Sequence, residues 1–176
     1  MDGKEILLLG NPRLFEQSEE VAPDEINDAV AIGRDLEASM LRFRNKHGWG
    51  RAISAPQIGV LKRIVYLNVD GPWLVINPEV SDESEEMMEI WDDCMSFPDL
   101  LVKVRRHVSF NMKWRDENWE LRERRIEGLY SELLQHEIDH LNGILAVSRA
   151  IDGDSFALQS ERALIPGAIF ANQLLS

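Results

Sequence analysis

Between residues 23 and 48, Ile26, Val30, Gly33, Leu36, Met40 and Phe43 recur at spacings of three and four. That period predicts an amphipathic helix, with Pro23 suited to its first turn and Gly48 to its end. The stretches KRIVYLNV and WLVIN, bounded by DGP and NPE, predict two short strands around a turn. The acidic stretch SDESEEMMEIWDD, residues 81–93, reads as a solvated loop or edge. In HVSFNMKW, Val108, Phe110, Met112 and Trp114 alternate with polar neighbours, the period of a half-buried strand, which RDEN turns into WELRERRIEG. A second helix is expected over LYSELLQHEIDHLN, ended by Asn142 and Gly143 as a left-handed cap ends one. Helix, several strands, then helix, without repeats or regular strand–helix alternation, predicts an α+β fold.

Length and charge narrow the classes. A chain of 176 residues fits one domain, so residues 1–176 are read as a single unit, with 151–176 a C-terminal segment of unassigned role. Nineteen basic against 31 acidic residues give a net charge of −12, which argues against a nucleic-acid partner. The apolar run Ile6 to Leu9 is broken by Gly10 and Pro12, too short for a signal peptide, and no stretch reads as a membrane span. A cytoplasmic location is expected. The lone cysteine, Cys94, excludes an intrachain disulfide and leaves a core filler, a nucleophile or a ligand.

Candidate chemistry centres on QHEIDHLNG, residues 135–143. His136 and His140 are four apart, hence on one helical face where two imidazoles can grip one ion, and Glu137 can accept a proton from water activated there. The third ligand decides the class. A third histidine three residues after Gly143 would mark a metzincin, but Ala146 stands there. Glu161, in QSERALIP, would suit a thermolysin-like endopeptidase, although turn signals before it and Pro166 after it leave room for only a very short helix. The rival is Cys94 in DDCMSFP.

Three stretches, GRAISAPQIG, DDCMSFP and QHEIDHLNG, resemble in order the signature motifs of peptide deformylases, and ILLLGNPRLFEQSEEV resembles that family's N-terminal segment. The resemblance covers roughly residues 5 to 150. It implies mixed or antiparallel strands packed around a central helix carrying HEIDH, with Cys94, His136 and His140 holding one iron(II) per chain, for which zinc, nickel or cobalt can substitute. It also implies Glu137 as the proton carrier, with the Gln57 amide and the Met95 backbone N–H meeting the charge on the formyl oxygen. Asp139, Arg106 and Asp92 would brace the ligands. Gly50, Arg51, Ala52, Ile90, Leu129, Glu132 and Leu133 would contact substrate. The implied partners are N-formylated nascent peptides, at the ribosome, and the implied state is a monomer or homodimer.

Several positions depart from the family pattern. Asp92 and Asp93 replace Glu-Gly, so a shorter carboxylate must reach Arg106 and backbone freedom beside the ligand is lost. Ala52 replaces a glycine near the substrate backbone. Arg51 and Glu132 stand where the family has apolar residues around the methionine side chain. Two readings follow: an ion pair at the rim with stems packed on methionine, or an altered first-residue preference. A non-catalytic metal- or peptide-binding relative is the remaining alternative, against which intact Glu137 and Gln57 argue.

Overall fold

The computed structural model describes residues 3–171. Helix α1 spans Ile26–His47 and ends on Gly48, whose φ of 80° is left-handed. Its buried stripe is Ala29, Gly33, Leu36, Ser39, Met40 and Phe43, so the expected face is there, with Ile26 and Val30 only half-buried. Gly33 allows a close approach: a Cβ there would lie 2.8 Å from Leu74 Cδ1. Pro23 opens a 3-10 turn, Pro23–Glu25, just ahead of the helix.

Five strands form one sheet in the order β1-β2-β3-β6-β7: β1 (Ala52–Ser54), β2 (Ile64–Asn68), β3 (Pro72–Ser81), β6 (Ser109–Arg115) and β7 (Leu121–Glu127). A second sheet has the order β4-β5-β8: β4 (Met87–Asp93), β5 (Leu100–His107) and β8 (Phe156–Leu158). Every strand pairing is antiparallel. Helix α2, Gly128–Leu141, packs against strands of both sheets, which puts HEIDH in the middle of the molecule. Seen from α2, Leu133, Leu134, Ile138 and Leu141 join Val65, Val75, Phe110 and Met112 of the larger sheet in one apolar cluster. A second cluster joins α1 to β2 and β3, and a third holds Ile90, Cys94, Phe97, Val102 and Val104.

The acidic stretch is partly as expected, a largely exposed loop over residues 82–86 and an edge strand beyond it, but that strand is buried at its end. Residues 87–93 are a strand paired along its whole length with β5, in register from Met87 opposite His107 to Asp93 opposite Leu101. Its acids meet bases across the ladder: Glu89 pairs with Arg105 at 2.9 Å and with Lys103 at 3.0 Å. Charge read along one strand hides such a partner, because the compensation lies on another. The C-terminal segment runs along the same sheet as far as Ala171: β8 lies on β5, and Phe170 packs with Trp91 and Leu101. The remainder of IPGAIFANQLLS lies outside the described residues. No described helix is long and apolar enough to cross a membrane.

Candidate metal centre

Helix α2 presents His136 and His140 one turn apart, with Nε2 atoms 3.2 Å from each other. Cys94, directly after β4, brings its Sγ to 3.3 Å from His140 Nε2. All three are buried, and among the described residues they form the only such cluster of potential ligands. Tetrahedral bonds of about 2.05 Å to nitrogen and about 2.3 Å to sulfur put donors about 3.3 and 3.6 Å apart, close to the spacings here, so the three side chains suit one divalent ion. Glu161 sits exposed on the 3-10 turn Gln159–Leu164, outside this cluster, and nothing in the structure supports its role as a ligand.

The shell behind the ligands is ionic and buried. His136 Nδ1 donates to Asp92 Oδ2 at 2.9 Å, which leaves Nε2 as the free lone pair. Arg106 ties the two ligand-bearing elements together, donating to Asp92 on β4 at 3.0 Å and to Asp139 on α2 at 2.5 Å. The shorter Asp92 side chain therefore does reach Arg106. Asp93 lies in regular strand, so no glycine is needed there. Burial opposes the charge on Asp92, but His136 and Arg106 outweigh it and hold the carboxyl below its ordinary range. Arg149 adds a second clamp on Asp139, at 2.7 Å. Sequence reading missed Arg149 because nothing local distinguishes it from a surface base.

Glu137 and Gln57 meet the cluster from its other side. Burial raises the Glu137 carboxyl above its ordinary value, opposed by His136 and by a hydrogen bond from Ser54. Gln57 Oε1 accepts the Ser54 backbone N–H at 2.9 Å, which turns Nε2 towards Cys94 Sγ at 3.6 Å and Ser96 Oγ at 3.2 Å. Ser54 and Ser96 were not singled out in the sequence. Ser54 opens the capping box around Ala55–Ile58, a signal that was there to be read as local structure only.

Gln57, Cys94, His136 and Glu137 line a narrow, partly open pocket. Gly50, Arg51, Ala52 and Met95 form part of its wall, with Glu132, Leu133 and Glu137 of α2 opposite. Gly50 has a φ of 135°, open to glycine alone. Ile90 and Leu129 are placed elsewhere: Ile90 packs in the cluster behind Cys94, and Leu129 is half-buried in the first turn of α2. Arg51 Nη2 pairs with Glu132 at 3.2 Å, with side chains 12% and 1% exposed, so the pair is part of the wall rather than of the rim. Burial raises Glu132 to about 7 against the pull of Arg51. Arg51 is itself buried, but Glu132 and Asp93 keep its charge favoured, and an arginine stays protonated.

A cysteine sulfur and two helix-borne imidazoles around one ion site, with a buried glutamate beside them, define a metallohydrolase-type centre. The sequence profile of the polypeptide deformylase family matches residues 3–155. The peptide deformylase of Leptospira biflexa is 36% identical over 160 residues, covering 83% of this chain and 87% of that one. Among solved structures, the peptide deformylase of Thermotoga maritima aligns with a TM-score of 0.79 at 29% identity, over 86% of this chain and 100% of that one. The peptide deformylase from Synechococcus elongatus in complex with actinonin aligns with a TM-score of 0.77 at 25% identity, over 87% and 81%. The chain belongs to the polypeptide deformylase family, an enzyme family that depends on a metal.

Proposed function

We propose that this chain hydrolyses the formyl amide of N-formyl-methionyl peptides, giving formate and a free N-terminus. The observation that carries the reading is the convergence of Cys94, His136 and His140 on one point, with Glu137 in the wall of the same cavity. Iron(II) is the proposed ion, with zinc, nickel or cobalt able to replace it, since a thiolate with two imidazoles accepts each of these. Held by Cys94, His136 and His140, the ion would supply Lewis acidity and an activated water at neutral pH.

The chain's own residues do the rest. Glu137 takes a proton from the attacking water and returns it to the departing amine nitrogen, as one buried carboxylate can do in sequence. The Gln57 Nε2–H, oriented through Ser54, and the Met95 backbone N–H supply donors for the negative charge that grows on the formyl oxygen. Asp92, Arg106 and Asp139 hold the ligand geometry. Formylated nascent chains emerging from the ribosome, in the cytoplasm, are the partners this chemistry fits.

Glu137→Gln tests the assignment. With the ligands intact it should keep one metal per chain and lose at least about a hundredfold in hydrolysis of a formyl-methionyl peptide. Metal loss, or an undiminished rate, defeats the role. Metal analysis after anaerobic purification tests iron, and a site filled with zinc alone would overturn that part.

A further inference from the structure

The Arg51–Glu132 pair leaves one polar atom unanswered. Arg51 Nη2 donates to both Glu132 oxygens, at 3.2 and 3.4 Å, whereas Nη1 is buried with no hydrogen-bond partner. A buried guanidinium donor in that state is a standing demand for an acceptor. Both residues line the pocket that Glu137, Cys94 and His136 also line. Glu132 lies one helical turn before His136, and Arg51 directly precedes β1 beside Gly50, so the pair crosses from one wall to the other next to the reacting centre.

The pocket is narrow beside the pair, so a substrate side chain entering here would contact Arg51 and Glu132 directly. Glu132 is locked, with 1% of its side chain exposed, and Arg51 is the member with access to solvent. Whatever enters therefore meets a guanidinium fork and a carboxylate within a buried wall. An apolar side chain would leave both without partners. A carboxylate would satisfy the fork but face Glu132, with Asp92 and Asp93 in the same lining. A neutral group with an oxygen acceptor answers Arg51 without that repulsion, and a carboxamide also offers an N–H to Glu132.

Resting on the proposed deformylation, we propose that Arg51 and Glu132 are a polar recognition site for the substrate's first side chain, favouring a neutral oxygen acceptor, such as a carboxamide or methionine sulfoxide, over the methionine thioether. Specificity of this kind is strong because a site built to hydrogen-bond rejects analogues that leave its groups unpaired.

The experiment compares kcat/KM of the metal-loaded protein on formyl dipeptides that differ only in the first residue: methionine, methionine sulfoxide, glutamine and glutamate. Glutamine and the sulfoxide should exceed methionine, and glutamate should trail glutamine by about tenfold or more. Arg51→Leu with Glu132→Ile removes both charges together, leaves none stranded, and should swing the ratio to methionine by about a hundredfold. If that protein fails to fold or to hold metal, Arg51→Lys, which keeps the charge but not the fork, should lower the glutamine-to-methionine ratio. A hundredfold preference for methionine in the unmodified protein, or a ratio that neither variant moves, overturns the inference while leaving deformylation standing. Hydrolysis of none of the four peptides overturns deformylation, and this inference with it.

Discussion

The Ser54 hydroxyl, fully buried at the end of β1, lies 3.0 Å from the backbone carbonyl oxygen of Glu137 and also meets that residue's carboxylate. One small side chain thus links the strand that carries Gln57's anchor to the carboxylate on the metal-binding helix. An acid that must give and take a proton within one turnover loses efficiency when it can rotate away.

Ser54→Ala should therefore lower kcat by roughly ten- to a hundredfold with little change in KM, and leave the metal in place. Parallel kinetics and metal analysis check it. A fall confined to KM, or loss of the ion, would show that Ser54 serves binding or folding instead.

A neighbouring contact lies behind one of the proposed ligands. Asp92→Asn keeps an oxygen for the His136 N–H but removes the charge that Arg106 and His136 share. Affinity for the divalent ion should drop about ten- to a hundredfold, as losses behind a metal ligand generally do. Competition against a chelator measures it, and an unchanged affinity contradicts the role assigned to Asp92.

Legibility from the chain followed the range of each signal. HEIDH, its helix and the cap at Gly143 are written within a few residues, and the i, i+4 rule alone puts both histidines on one face. Cys94 could not be joined to them by any local rule, since 41 residues and three strands separate it from His136, and the motif resemblance supplied that link. Strand β4 was hidden because its acids are balanced by residues distant in the chain, Glu89 by Lys103 and Arg105 across the ladder and Asp92 by Arg106 and His136. Glu132 lies four residues before His136, hence on the same helical face, yet its depth is set by how two sheets close on α2, which no periodicity records.

Gly143 ends the metal-binding helix with a φ of 70°, and a Cβ there would come within 2.5 Å of the Phe15 carbonyl oxygen. Two costs coincide at this position, the left-handed backbone and a collision with main chain that cannot swing aside. Gly143→Ala should cost more than about 1 kcal/mol, lowering Tm by at least 2–4 °C or so. Asparagine tolerates left-handed φ but carries the same Cβ, so Gly143→Asn should do no better. If asparagine restores the glycine protein's Tm, backbone strain alone is at work and the collision is not.

Asp116 begins the tight turn between β6 and β7, and its carboxylate is held by three donors. Oδ1 accepts the backbone N–H groups of Asn118 and Glu120, each at 2.9 Å, and Oδ2 accepts Arg122 Nε at 2.7 Å. Burial opposes the charge, but the Asn118 N–H, the Arg122 side chain and the Glu120 N–H together outweigh it and depress the pKa below the ordinary carboxylate value. Because the folded pKa lies below the unfolded one, the ionised group contributes stability above the unfolded value, near 3.9, and that contribution fades as pH falls through the folded pKa. Asp116→Asn keeps an oxygen for the turn's N–H groups and turns a neutral amide towards Arg122. It should cost about 1 kcal/mol at pH 7, the scale of a charge-assisted bond at a partly exposed partner. In acid the wild-type carboxyl is itself neutral, so the gap between the two proteins should close as pH drops below about 4. Urea unfolding of both proteins in the same metal state, from pH 7 down to pH 3, follows that gap directly. A gap that stays constant across the series would mean that the shape of the side chain, and not its charge, holds the turn.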